Sequence, residues 1–159
     1  MILSDMVYGL RQQLSDEQSV GWPIDTELLA YLDAAADYLS ETLITYKDTT
    51  MLRRLDIQHS SGTLPDDFVR FVGNVPIFVL GNTFDVYADL PNDVYYWGRF
   101  ARPSGFELAA ALPYTRQQAS LVINIARMYA LNKNEYDISQ DAALLAEIKN
   151  SIAGARSNA

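Results

Sequence analysis

The hydrophobic period of this chain changes twice, and these changes constrain the fold more than any other feature of the sequence. Up to about residue 46, apolar residues recur every three or four positions, as on one face of an α-helix. Between about residues 52 and 103 they alternate with polar residues, which is typical of half-buried β-strands. After residue 107 the helical period returns. The sequence therefore predicts a mostly helical α+β fold: a helical bundle with a small antiparallel β-meander inserted between its two halves.

The domain organisation follows from the same pattern. A chain of 159 residues predicts one domain. Its helices are expected within residues 3–46 and 107–152, its β insertion at about 52–103, and a loose polar tail at 153–159. The longest apolar stripes lie within residues 25–44 and 114–133. We expect these two helices to pack against each other and form the core.

Within the insertion, the turn signals predict three consecutive strands. Gly81 and Asn82 separate two alternating runs, and this dipeptide suits a tight hairpin. The run "VYYWGRF" then reads as a third strand. Pro76 cannot donate a backbone hydrogen bond, so the first strand is expected at an edge of the sheet.

Composition excludes several classes of function. The chain has no cysteine, which rules out disulfides, thiolate zinc sites and thiol catalysis. Its formal net charge of −8 disfavours DNA readout, because binding to phosphates requires a basic surface. Its glycines are scattered, so no phosphate-binding loop is indicated. No apolar run approaches the ~20 residues of a membrane span, and the opening "MILSDMVYGL" lacks the basic segment of a secretory signal. We expect no cofactor, no metal and no membrane partner.

Two groups of residues could carry catalysis, and neither has the spacing for it. Asp66 and Asp67 are adjacent in "LPDDF", so their side chains diverge and cannot share a proton. Capping of a short helical turn after Pro65 is the favoured interpretation. His59 is the only histidine, and the serines that follow it cannot form a catalytic arrangement with it inside a strand. The sequence predicts a protein that is not an enzyme, with a small hydrolase using His59 as a minor alternative.

An acidic stripe runs along the second predicted helix. Asp33, Asp37 and Glu41 are spaced four residues apart. The stripe is either a solvated face or a face that meets something basic, and the solvated face is favoured.

Tyrosine is unusually frequent, with ten residues, and several aromatic residues fall in the sheet region. Tyr87, Tyr95 and Trp97 lie on the polar side of the alternating pattern. Tyrosine and tryptophan are enriched at protein interfaces. The pattern fits two roles for these residues: an interface with another protein, or a small core covered by a helix.

Four stretches together indicate a family. They are "GWPIDTELLAYLDAAADYL", "LPDDFVRF", "YYWGRFARP" and "LPYTRQQASLVINIARMYALNKNEYDISQDAALLAEI". Over roughly residues 20 to 150, their order resembles tailed-bacteriophage head-to-tail adaptor proteins, also called connector or head-completion proteins. The resemblance lies in the order of elements, the "LP-acid-F" stretch and the Ala-rich helix before "NEYDISQD".

The resemblance implies a structural virion protein at the head–tail interface, assembled in the host cytoplasm. Its partners would be the portal protein, a tail or nozzle protein, and further copies of itself in a ring that is normally twelve-fold. DNA would pass through the lumen without sequence-specific contact, and an acidic bore suits that passage because it would not hold the phosphates. The alternative is a small soluble regulatory domain that binds a protein or ligand.

The resemblance also implies candidate interface residues. In this group the C-terminal segment often reaches the portal, which here would involve Ile152, Ala153, Gly154, Ala155 and Arg156. Contacts with the tail or a neighbouring subunit would fall on the aromatic sheet region, at Tyr87, Tyr95, Trp97 and Arg99.

Overall fold

The computed structural model describes residues 1–16, 21, 25–131, 146 and 149–150. The helices of this part are α1 (Leu3–Gln13), α2 (Asp25–Thr45) and α3 (Arg116–Leu131). Its strands are β1 (Leu52–Leu55), β2 (Ser61–Thr63), β3 (Phe68–Phe71), β4 (Ile77–Leu80), β5 (Thr83–Val86) and β6 (Val94–Gly98). The predicted C-terminal tail and most of the predicted helix beyond residue 131 lie outside the described residues.

The chain divides into two compact units. The first consists of Met1–Leu39 and Ala101–Ala159, and the second consists of Ser40–Phe100. The second unit is therefore inserted in the sequence of the first, and α2 begins in one unit and ends in the other.

In the first unit, α1 packs against α3. Gly9 permits the close approach, because a Cβ atom at this position would lie 3.2 Å from Cδ1 of Ile123. The apolar stripe of α2 is buried as its spacing predicts, at Leu28, Leu32, Ala35 and Leu39. Val122, Ile125 and Ala126 of α3 are also fully buried.

Residues 107–115 were expected to begin the second helical half, and this prediction is wrong. They form turns and an extended segment, and Ala111 makes an antiparallel bridge with Ile2. The reason lies at the start of α1, where no side chain caps the helix. Instead the backbone amides of Leu3 and Ser4 donate to the carbonyl oxygens of Ala110 and Leu108, at 3.1 and 2.9 Å. The extended segment thus satisfies amide groups that a helix leaves free at its first turn.

A buried arginine connects the end of α1 with the start of α2. Arg11 is almost fully buried, and its guanidinium lies 3.2 Å from the Asp16 carboxylate and 2.7 Å from that of Asp25. A buried charge requires such partners, because removal from water is costly without them. This ion-pair group therefore positions α2 relative to α1.

The second unit contains two three-stranded antiparallel sheets, with strand orders β1-β6-β3 and β2-β5-β4. The predicted fold class is wrong in this respect: the described residues form three helices and two small sheets, not a helical bundle with one small meander. β6 pairs with β1 and β3 rather than with its sequence neighbour β5. The sequence pattern missed β2 and β3, because each has only three or four residues and β2 has no large apolar side chain.

The predicted hairpin is confirmed. β4 and β5 pair in the register that joins Leu80 with Thr83, and Gly81 adopts a φ of +61°, which glycine tolerates best. The prediction that the strand after Pro76 lies at an edge is also confirmed, since β4 is the outer strand of its sheet.

Candidate functional site

The two adjacent aspartates have different surroundings. They lie in the turn between β2 and β3. The hydroxyl of Tyr96 donates to the Asp67 carboxylate at 2.8 Å, and Nε of Arg53 lies 3.8 Å from the same carboxylate. The Asp66 side chain is exposed. The prediction of helix capping is wrong, because Asp67 is used instead to tie the turn to β1 and β6.

This cluster is tightly packed and shifts one pKa. Burial, followed by the hydrogen bond to Asp67 and its charge, raises the pKa of Tyr96 to about 12, while Arg53 acts in the opposite direction. A Cβ atom at Gly98 would lie 2.9 Å from Cγ of Arg53 and 3.0 Å from Oδ2 of Asp67. The cluster therefore leaves no room for a side chain at position 98.

The histidine is remote from any catalytic arrangement in the described residues. The predicted strand placement of His59 is wrong, because β1 ends at Leu55 and His59 lies exposed in a bend before β2. The carbonyl group of the next residue, Ser60, accepts a hydrogen bond from the backbone amide of Val86 at 2.6 Å. No cluster of three or more His, Asp or Glu side chains in the described ranges is placed to hold a metal ion. None of the described helices is long and apolar enough to cross a membrane.

Two members of the acidic stripe meet the chain's own residues in the first unit. The Arg102 guanidinium donates to both oxygens of the Asp37 carboxylate, at 2.9 and 3.2 Å. Asp33 accepts from the backbone amide of Ser104 at 2.9 Å and from its hydroxyl. Burial, together with these two carboxylates, raises the pKa of Tyr114. The solvated-face prediction is wrong for Asp33 and Asp37, and only Glu41 is exposed.

A shallow cleft of about 390 Å³ lies between α1 and α3. Its polar lining comes from Gln12, Gln13, Arg116 and Asn124, with Ser120 beside them. Among the described residues, this lining contains no acid and no histidine.

The most unusual surface of the described residues is one side of the β4–β5 hairpin, which we call the hairpin face. It comprises Phe78, Leu80, Asp85 and Tyr87, which the strand register places on one side of the sheet. Phe78, Leu80 and Tyr87 are 66%, 82% and 59% exposed. The rings of Phe78 and Tyr87 lie 4.5 Å apart, so the apolar side chains are contiguous. A contiguous exposed apolar patch marks a protein interaction site more often than a scattered exposed residue does.

The exposure has a local cause in the sequence of β4. All four residues of "IFVL" are apolar, whereas successive strand residues point to opposite sides of a sheet. Ile77 and Val79 lie on the same side of the sheet as Phe84, which is buried against Gly62. Phe78 and Leu80 lie on the opposite side, where they are more exposed than Val79, which is 46% exposed. The unbroken apolar run beside Pro76 was the signal for this surface, and the alternating pattern does not reveal it.

A second exposed surface lies on the other sheet, and we call it the Arg-Tyr face. It comprises Arg54 on β1, Arg70 on β3 and Tyr95 on β6. Tyr95 is 42% exposed and lies directly across from Arg54. Arg54 pairs with Asp93 at 3.1 Å, whereas Arg70 has no ion-pair partner among the described residues. Arg70 lies across from Trp97, the next residue of β6 on the same side as Tyr95, so both arginines share the side of the Tyr95 ring.

The four predicted sheet-region interface residues do not share one surface. Tyr87 belongs to the hairpin face and Tyr95 to the Arg-Tyr face. Trp97 is only 9% exposed, and the guanidinium of Arg99 donates to the carbonyl oxygen of Asp66 at 2.8 Å. The predicted portal-contact residues, from Ile152 to Arg156, lie outside the described residues.

Comparison with protein-family models and with curated proteins found no match to this chain.

Proposed function

We propose that this chain is a structural virion protein that joins the portal ring of a tailed bacteriophage to the tail. It forms a ring through which DNA passes, and it has no catalytic activity. The hairpin face is the observation that carries the proposal. A protein that works through contacts with other proteins has a use for an exposed apolar sheet face, whereas an isolated soluble domain does not.

The positions of Asp66, Asp67 and His59 support a role that involves no catalysis. The carboxylate of Asp67 is engaged by Tyr96 and Arg53, and the adjacent Asp66 side chain is exposed. A nucleophile requires a base beside it and an orienting group behind that base. His59 is the histidine that could serve as the base, and it lies exposed in a bend with no side-chain hydrogen bond to an orienting group among the described residues.

Charge supports the same proposal. The net charge of −8 suits a ring whose lumen must let phosphates pass without holding them. Two carboxylates of the α2 stripe are already paired within the first unit, so this stripe is a weaker candidate for the portal contact. The proposal keeps the C-terminal residues from Ile152 to Arg156 as the portal contact, as the family resemblance implies.

The test is binding to the portal protein encoded by the same genome. The purified chain is mixed with the portal ring, and the complex is separated by density-gradient sedimentation. We expect co-sedimentation of the intact chain, and loss of it when residues Gly154 to Ala159 are deleted. The melting temperature of the truncated chain serves as the folding control. Failure of the intact chain to bind the portal would contradict the proposal and favour the alternative of a small binding domain.

A further inference from the structure

We infer that the hairpin face of one copy docks on the Arg-Tyr face of the next copy, so that this chain associates head to tail through its inserted unit. The inference rests on the proposed function in one respect, since it assumes that copies of this chain meet one another in a ring. It specifies which two surfaces meet and which charges lie across the contact.

The hairpin face has the chemistry of a protein-binding surface rather than a phosphate-binding one. Asp85 lies directly across from Phe78 on β4 and from Ser61 on β2, and Asp89 follows shortly after β5. Residues 73–93 contain no Lys or Arg. A nucleic acid or an anionic lipid surface would be repelled here, because both require positive charge. The fitting occupant has an apolar or aromatic centre and a cationic rim.

The Arg-Tyr face of this same chain has that composition. Tyr95 supplies a half-exposed ring on the same side of the sheet as Arg54 and Arg70. Tyrosine and arginine are enriched at protein interfaces, and guanidinium groups stack favourably on aromatic rings. Arg70 and Asp85 are both exposed, and neither has an ion-pair partner within the described ranges. Each can therefore accept a partner from another copy without breaking a contact of its own.

The two faces lie on different sheets, so a contact between them is heterologous. A pair of copies then keeps one free hairpin face and one free Arg-Tyr face, so the contact can repeat until a ring closes. A twofold pair, in which the same surface meets itself, would place Asp85 of both copies in the same interface. Like charges make that arrangement unfavourable.

The size of the contact indicates when association occurs. The three apolar side chains of the hairpin face expose about 400 Å², taking about 200 Å² for each aromatic side chain. A stable interface buries about 800 Å² per partner. The contact is therefore too small to hold two free copies together tightly. It becomes effective when the portal ring already holds the copies side by side. The contact between neighbouring copies then forms within one assembly, at a high effective concentration.

The experiment is a charge exchange across the contact. Asp85→Arg places a positive charge on the hairpin face, opposite the positive Arg70 of the next copy. Arg70→Glu places a negative charge on the Arg-Tyr face, opposite the negative Asp85 of the next copy, while Arg54 stays paired with Asp93. We expect each variant alone to form rings on the portal at least ten-fold less well than the wild type. Mixed in equal amounts, the two defective variants should restore rings, because each face then meets one of opposite charge. The double variant should also form rings alone.

Matched controls carry the same charge changes in the first unit. Glu107 and Arg116 are exposed, and neither side chain has an ion-pair partner among the described residues. Glu107→Arg and Arg116→Glu should leave ring formation unchanged. If Asp85→Arg and Arg70→Glu assemble as well as these controls, the inference is wrong. If they fail and mixing does not restore assembly, the two side chains do not meet and the inference is equally wrong.

A second measurement does not depend on the portal, so it separates this inference from the proposed function. The natural chain has no cysteine, which provides a clean background for cross-linking. Leu80→Cys and Tyr95→Cys combined in one chain should give a ladder of covalent multimers when oxidised at high protein concentration, because a disulfide traps a contact that is too weak to persist between free copies. A mixture of the two single variants should stop at dimers, because each copy then carries one thiol. Absence of the ladder, or equal dimerisation of Leu80→Cys alone, would overturn the head-to-tail contact even if the chain binds the portal.

Discussion

Replacing Asp67 by alanine should destabilise the inserted unit by about 1–2 kcal/mol. The change removes the acceptor for the Tyr96 hydroxyl, and hydrogen bonds to charged groups contribute roughly 1.5–3 kcal/mol. We take the lower part of that range because the carboxylate is 35% exposed and solvent screens it. The neighbouring Arg53 guanidinium, at 3.8 Å and also partly exposed, adds little.

The assay is urea unfolding followed by circular dichroism, with Asp66→Ala as the matched control. Asp66 is adjacent in sequence and its side chain is exposed, so its loss should change stability by no more than about 0.5 kcal/mol. The slope of the unfolding free energy against urea should be the same for both variants. Equal losses at the two positions would refute the structural role assigned to Asp67.

The same cluster predicts a dependence on alkaline pH. The pKa of Tyr96 is about 12 in the folded protein, whereas an unperturbed tyrosine has a pKa of 10.0, so the fold favours the neutral phenol. Its contribution to stability is therefore complete below about pH 10 and is lost as the pH rises through about 12. Asp67→Ala should lower the pKa of Tyr96 without returning it to 10, since burial is the largest cause of the shift. Tyrosinate absorbance during alkaline titration, with Tyr96→Phe to identify the group, should show this difference. Identical titration curves for the wild type and Asp67→Ala would contradict it.

Two further predictions concern packing. Leu32→Ala and Ile125→Ala remove fully buried side chains of the first unit, so each should cost ~2–5 kcal/mol in unfolding free energy, and losses below ~0.5 kcal/mol at both sites would contradict the assigned core. Gly98→Ala forces a Cβ atom against Arg53 and Asp67 and should cost about 1–3 kcal/mol in a calorimetric melt, while Gly105→Ala, with no atom within 4 Å of its Cβ, is the control that should not.

Local patterns predicted the parts of the fold that local forces determine. The stripe containing Leu28 and Leu39 identified the buried side of α2, because a period of 3.6 residues follows directly from helix geometry. Gly81-Asn82 identified the hairpin, because few residues tolerate its backbone conformation. Pro76 identified an edge strand, because proline has no amide hydrogen to donate.

Long-range contacts determine the parts of the fold that the sequence pattern did not predict. β6 joins β1 and β3 through partners such as Asp67, which is 29 residues away from Tyr96. The alanine-rich segment near Ala110 has a strong helical propensity, but its carbonyl groups are used by the first turn of α1. Tertiary hydrogen bonds therefore outweighed local preference in both places.

The sequence pattern also identified only some of the exposed residues of the candidate interface. Aromatic enrichment drew attention to the sheet region, where Tyr87 and Tyr95 are both exposed. Alternation alone placed Trp97 on the same outward side, although it is buried. Phe78 and Leu80 were missed because β4 is apolar at every position, so no alternation reveals its outward side. Which side of such a strand is covered depends on what packs on it, and that is a property of the folded unit.

The most direct test of the central claim is a cryo-electron microscopy map of the wild-type chain mixed with its portal ring. The account predicts a ring of this chain beneath the portal, with one copy per portal subunit and the hairpin face of each copy against Tyr95 of its neighbour. A portal ring with no added density, or copies bound singly without contact to one another, would contradict it.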